Sequence, residues 1–340
     1  MFYWKHIQQE FPSEPQTHSF FRHIDLPIPM AVLVFVLSSI FYPGGAVPAE
    51  NETVADCARI DNPEERLKCY DKLSGLKEVR RSQTYLSKLW ELDENSPREK
   101  YAINPHRDNY ALPFTSFNPS GDELKKEEFT LQLSIKTKLY QDIGGKKMDL
   151  WFGYTQRSFW QLYDTENSSP FRETNYEPEI LLNFRTDFKP LGLRFINVGL
   201  NHQSNGCSEP KSRSWNRGVA NFGFEKDNLV LVLNTWLRIP ESDESDDNSD
   251  IERYMGYGQA WIYYFFKFGR QSDYTHRLGF MFRNNLLFDT NRSTVQLEGS
   301  FQVLKNTCLY IQYYSGYGES MIDYDEYIDR IGAGVMLKPW

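Results

Sequence analysis

The stretch Leu193-Arg194-Phe195-Ile196-Asn197-Val198-Gly199-Leu200-Asn201-His202-Gln203-Ser204 decides the fold. Successive side chains of a strand point to opposite faces. From Ile196 onward, one face therefore carries Ile196, Val198, Leu200, His202 and Ser204, and the other Asn197, Gly199, Asn201 and Gln203. A soluble sheet uses strands of about 5 to 6 residues, whereas a tilted membrane crossing needs about 9 to 11. The length of this segment suits the crossing. In a closed barrel its apolar series would face lipid and its polar series the lumen.

The same texture repeats outward from it. Segments rich in Tyr, Phe, Leu and Val fall at 107–117, 128–140, 147–162, 175–188, 191–204, 213–225, 228–238, 251–267, 272–287, 292–304, 307–317 and 329–340, which makes twelve. An even number of antiparallel strands brings both ends of a barrel to the same side. The linkers alternate as an up-and-down barrel requires: short at Lys189-Pro190 and Lys226-Asp227, long and polar at 164–174, 205–212 and 240–250. Trp340 supplies the terminal aromatic usual in outer-membrane barrels, although its parity differs from that of Ile331, Ala333, Val335 and Leu337. The expected fold is all-β: a 12-stranded antiparallel transmembrane β-barrel with a short N-terminal periplasmic extension.

Composition agrees. The chain pairs a polar mean hydropathy of -0.60 with 16% aromatic residues. Alternating strands average out to that combination. No run approaches the roughly 20 apolar residues of a helical span, since the strongest, 30–42, is short and interrupted by Ser38 and Ser39. A net charge of -8 leaves no basic footprint for nucleic acid, and the aromatics argue against disorder.

Arg22 and His23 precede an apolar run that Pro43-Gly44-Gly45 breaks, and Val47-Pro48-Ala49 offers small residues before Glu50. We expect 1–49 to be a secretory signal, with Met30 an alternative start. Residues 50–104 are charged and read as a polar, partly helical periplasmic extension, and 105–340 as the barrel. Cys57 and Cys69 flank a charged stretch with an Asp61-Asn62-Pro63 turn, which predicts a small disulfide-closed helical hairpin in an oxidising compartment. No zinc-ligand spacing competes with that pairing.

The next strand places Asn216, Gly218, Ala220, Phe222 and Phe224 on one face. With an antiparallel turn centred near Glu209, His202 and Asn216 reach the same height on neighbouring strands. Serine is a weak nucleophile unless a base takes its proton, and a base needs an orienting partner. Ser204, His202 and Asn216 supply nucleophile, base and orienter. A His-x-Ser pair is ordinarily an unremarked surface feature. Here it stands on the lipid-facing stripe, where polar groups are costly without a purpose. On the strand from Leu150, Gln156 is likewise an amide facing lipid, and a symmetric contact between two copies would use it.

Several motifs resemble the outer-membrane phospholipase A family: Asn201-His202-Gln203-Ser204-Asn205-Gly206, Ser212-Arg213-Ser214-Trp215-Asn216-Arg217, Tyr154-Thr155-Gln156, 168–178, Tyr254-Met255-Gly256-Tyr257 and 313–320. The resemblance runs collinearly over about 105–340. It implies a barrel of the bacterial outer membrane that hydrolyses acyl esters of glycerophospholipids and lysophospholipids, is calcium-dependent and is active as a homodimer. It assigns Ser204 as nucleophile, His202 as base and Asn216 as orienting residue. It also implies a Ca2+ site formed by the Cys207 carbonyl, the Ser212 hydroxyl and Ser168 of a second copy, with Glu209 and Asp247 at a second site. Cys207 replaces a basic residue usual in the family, and Glu209 an Asp. The rest of the acidic stretch 241–250 is expected to be a solvated loop. Competing readings are a passive porin or structural barrel, and a lipopolysaccharide deacylase.

Overall fold

Twelve strands alternate as expected and close on themselves. The computed structural model describes residues 53–73, 84–93, 101–119, 124–188, 190–242, 246–269 and 274–338. The expected signal segment and Trp340 lie outside these. The chain divides into two compact units, residues 1–78 and 79–340.

In the first unit, α1 (Val54–Ala58) and α2 (Pro63–Leu73) are joined by a Cys57–Cys69 disulfide. Thr53 caps α1, its backbone N–H donating to the Asp56 carboxylate at 2.9 Å. Pro63 opens α2, at a helical position that needs no N–H. The predicted hairpin is thus present.

The second unit contains a short β1 (Ile103–Pro105) and the barrel strands β2 (Asn109–Phe117), β3 (Glu127–Tyr140), β4 (Met148–Trp160), β5 (Phe171–Phe188), β6 (Leu193–Ser204), β7 (Ser214–Lys226), β8 (Leu229–Ile239), β9 (Gly258–Phe266), β10 (His276–Asn284), β11 (Ser293–Leu304), β12 (Thr307–Gly316) and β13 (Ile328–Leu337). Each pairs antiparallel with its neighbours, and β13 pairs with β2 to close the ring. Closure satisfies every strand edge, the condition for crossing a bilayer with sheet. One expected segment, 251–267, is divided. Its first residues form α4 (Glu252–Met255), which ends at Gly256 with φ 62°, and the strand begins only at Gly258.

The faces are as the alternation predicts. Val198 and Leu200 are 47% and 62% exposed, whereas Asn197 and Asn201 are 0% and 4%. The lumen holds the buried charges: Glu177 accepts from Arg107 at 2.6 Å and Arg217 at 3.0 Å, and Arg277 pairs with Asp108 and Glu298. Buried ions persist when paired and hydrogen-bonded. These networks leave a cavity of about 250 Å³ in the lumen.

Part of the expected polar extension is folded into the barrel. Helix α3 (Tyr85–Trp90) buries Leu86 and Trp90 against the inward residues Trp151, Leu181, Phe195, Val230 and Phe265. The Lys136 ammonium lies 3.4 Å from the centre of the Trp90 ring, and Lys138 reaches Glu91 at 2.6 Å. A stripe of Leu86, Leu89 and Trp90 at helical spacing thus plugs the barrel interior.

Candidate active site

Strands β6 and β7 set the site by register. His202 stands opposite Asn216 and Ser204 opposite Ser214, while on the other side Ser204 faces Tyr176 of β5. All three sequence-predicted residues lie half-buried on the outward face, away from the lumen cavity. The His202 Nδ1 to Asn216 Oδ1 distance is 2.9 Å. An amide oxygen only accepts, so this bond assigns the proton to Nδ1 and leaves Nε2 free as an acceptor. Ser204 follows two residues along the same face. The arrangement can withdraw a proton from a hydroxyl at the membrane edge and return it.

The amide has a second partner. Asn216 Nδ2 donates to Glu241 Oε1 at 2.8 Å. Glu241 lies just past the end of β8, where Ile239 pairs with Asn216. This corrects the expectation that the acidic stretch is merely solvated. Asp246 pairs with Arg238 at 2.6 Å, Asp247 accepts from the Ser212 hydroxyl, and Asp250 accepts from Tyr324 at 2.5 Å. The sequence placed the charges on one loop but not the strand ends to which that loop returns.

Among the predicted calcium ligands, Ser212, Asp247 and Glu209 come together. A hydrogen bond to Asp247, then desolvation, then the Asp247 charge hold the Glu209 carboxyl above the usual range, as when two carboxylates share one proton. Asn205, a motif residue to which the sequence assigns no role, organises their loop. Its Oδ1 accepts from the N–H groups of Cys207 at 3.2 Å and Arg213 at 3.1 Å, and its Nδ2 donates to the Lys211 carbonyl at 2.7 Å. Ser168 stands in a different loop, between β4 and β5, with φ 62°. Among the described residues no group of three or more His, Cys, Asp or Glu side chains is placed to hold a metal. The donors present are a hydroxyl, carboxylates and backbone carbonyls. That oxygen set fits calcium rather than zinc.

Gln156 does face outward, but it is not unpartnered as expected. Tyr154 donates to its Oε1 at 3.0 Å, and its Nε2 donates to Ser158 Oγ at 3.3 Å, which also accepts from Thr174 at 3.1 Å. The stripe on β4 and β5 is a connected polar chain, because same-face neighbours two residues apart on β4 reach one another and Ser158 stands in register with Thr174 of β5.

The phospholipase A1 family model matches residues 86–337, α3 and the barrel together. The chain is 40% identical to a phospholipase A1 of Salmonella typhimurium over 250 residues, covering 70% of this chain and 82% of that protein. Against a phospholipase A1 of Proteus vulgaris it is 38% identical over 253 residues, covering 70% and 82%. Among solved structures, outer membrane phospholipase A from Escherichia coli superposes with a TM-score of 0.63 at 38% identity, covering 70% of this chain and 99% of that one. The outer membrane phospholipase dimer of Salmonella typhi with bound calcium gives 0.66 at 36% identity, covering 76% and 100%. Fold, register and similarity over nearly the whole barrel lead to one conclusion: the chain belongs to the phospholipase A1 family of outer-membrane β-barrels.

Proposed function

We propose that this barrel hydrolyses the acyl ester bonds of glycerophospholipids and lysophospholipids as a serine esterase, with Ser204 as nucleophile, His202 as base and Asn216 as orienting residue. The carrying observation is the His202 Nδ1 to Asn216 Oδ1 contact on the lipid-facing wall, because it leaves Nε2 as the free basic nitrogen. In the first half-reaction His202 Nε2 takes the Ser204 proton as Oγ attacks the ester carbonyl. The imidazolium then returns that proton to the departing alcohol, leaving an acyl-serine. In the second half-reaction His202 takes a proton from water, whose oxygen attacks the acyl carbon. Fatty acid leaves and Ser204 is reprotonated.

Cys207 through its carbonyl and Ser212 through its hydroxyl would hold calcium, with Ser168 supplied by a second copy and Asp247 with Glu209 at a further position. When bound, calcium supplies positive charge beside the developing oxyanion. The homodimer reading is supported by Gln156, whose polar chain with Tyr154 and Ser158 offers donors and acceptors to a symmetric partner within lipid. The calcium-bound dimer of the Salmonella typhi relative agrees with both readings. We also propose that residues 1–49 direct export and that residues 50–104 lie on the periplasmic side, apart from the part folded into the lumen. The rival porin is disfavoured by the plug and ion pairs that obstruct the barrel interior.

Ser204→Ala and His202→Ala are each expected to abolish fatty-acid release from mixed micelles while preserving a folded, heat-modifiable barrel. Undiminished calcium-dependent release by Ser204→Ala would overturn the mechanism.

A further inference from the structure

We propose that Glu241 is a positioning residue for the reaction, acting on His202 through Asn216; this rests on the roles proposed for those two residues. The geometry imposes it in two ways. First, Asn216 has one amide orientation that satisfies both neighbours, with Oδ1 toward His202 Nδ1 at 2.9 Å and Nδ2 toward Glu241 Oε1 at 2.8 Å. Turning the amide over would set an N–H donor against the imidazole N–H and an oxygen against the carboxylate. The carboxylate thus fixes which atom the histidine meets. Second, a hydrogen bond to an ionised acceptor is stronger than one between neutral groups, and linked hydrogen bonds polarise one another. Donation from Nδ2 to a carboxylate draws amide electron density toward Oδ1. The bond that holds the imidazolium during turnover is strengthened accordingly, and an orienting amide gains part of the character of a carboxylate.

The chain delivers Glu241 to this place. Asn216 is in register with Ile239, the last residue of β8. Pro240 has no N–H to extend the ladder, so Glu241 leaves the strand at the rim beside Asn216. Among the described residues its carboxylate forms no ion pair that would assign it another task. Asp246 and Asp250 of the same loop are engaged with Arg238 and Tyr324.

The test uses the full-length protein in calcium-containing mixed micelles and compares kcat and KM for wild type, Glu241→Gln, Glu241→Ala, Asn216→Asp and the double variant Asn216→Asp/Glu241→Gln. Glu241→Gln leaves an acceptor for Asn216 but no charge, so kcat is expected to fall about threefold to tenfold with KM unchanged. Glu241→Ala removes the anchor as well, and kcat should fall by roughly tenfold to a hundredfold. In the Asn216→Asp variant the orienting group carries its own charge, so adding Glu241→Gln should then cost nothing or raise the rate. Wild-type kcat in both single variants at 241, or an equal loss from Glu241→Gln with and without Asn216→Asp, overturns the proposal. Should Asn216→Asp alone be inactive, Glu241→Gln decides, because an isosteric amide preserves a merely structural tether and only a role for charge lowers kcat. Ser204→Ala and His202→Ala run alongside separate the two failures. If they are inactive while Glu241 variants are unimpaired, only the role of Glu241 falls; if Ser204→Ala is active, the serine mechanism itself falls.

Discussion

Ser204, His202 and Asn216 were legible as single residues because strand parity and one turn length fix their relation. Each is a polar group on a stripe that should be apolar, and the antiparallel register follows from centring the turn near Glu209. Glu241 and Asn205 carried no such signal. Their importance lies in which backbone or side-chain group they meet, and that depends on where a loop returns. Asn205 buries an amide that satisfies two N–H groups and one carbonyl of the loop around Ser212. Removing it leaves those groups unpaired, at about 1 to 3 kcal/mol for each one that stays buried. Asn205→Ala is therefore expected to raise the calcium concentration needed for half-maximal fatty-acid release more than about tenfold, while heat-modifiable mobility is unchanged. Glu209 gives a prediction with a definite sign. Its carboxyl titrates above the usual range because Asp247 is beside it, so without metal the loop becomes less stable as pH rises through that titration. If Glu209 and Asp247 hold calcium as proposed, the ion would displace that proton, and its affinity measured by calorimetry should weaken as pH falls through the same range. Glu209→Gln should flatten that pH dependence.

Among elements, the twelve barrel strands are readable from alternation and turn chemistry except for the start of β9, whereas the short helix α4 and the docking of α3 are not. The start of β9 is not legible because Tyr254 and Met255 share the apolar, aromatic texture of a strand. What separates them is Gly256 at φ 62° and ψ -151°, a backbone conformation open to glycine and closed to residues with a Cβ, which takes the chain out of the helix. The sequence does not show where helix α3 docks because its neighbours are nonlocal: Trp151, Leu181, Phe195, Val230 and Phe265 come from five different strands. A sequence window contains none of them. Trp90 is the centre of this contact, with ring centroids 5.3 Å from Phe195 and 5.9 Å from Trp151 and the Lys136 ammonium over its face. Trp90→Ala should cost about 3 to 5 kcal/mol and leave Lys136 without its closer ring. A lower thermal midpoint is expected, with fatty-acid release per folded molecule unchanged, since the outer-wall groups do not touch the helix. Loss of release at temperatures where the barrel remains folded would show that the plug and the wall are coupled.

At the scale of the whole molecule, charge lies inside and apolar side chains outside, the reverse of a soluble protein. The polar mean hydropathy is the average of these two populations. Their separation became visible only by reading every second residue. Because Arg107, Glu177, Arg217, Arg277 and Glu298 lock the lumen and α3 occupies part of it, reconstitution into planar bilayers should give no steady open-channel conductance. Sustained porin-like currents would contradict that reading of the interior. The placing of His202 and Ser204 on the outer wall also has a kinetic consequence. Under the proposed mechanism a lipid would reach them by travelling sideways within its own leaflet, so encounters would be counted in two dimensions. The velocity should then follow the fraction of the surrounding amphiphile that is substrate, and not the amount of lipid per volume of solution. Diluting the substrate with an inert detergent at fixed bulk lipid concentration should slow the reaction, and adding more micelles of the same composition should not speed it once every barrel is embedded.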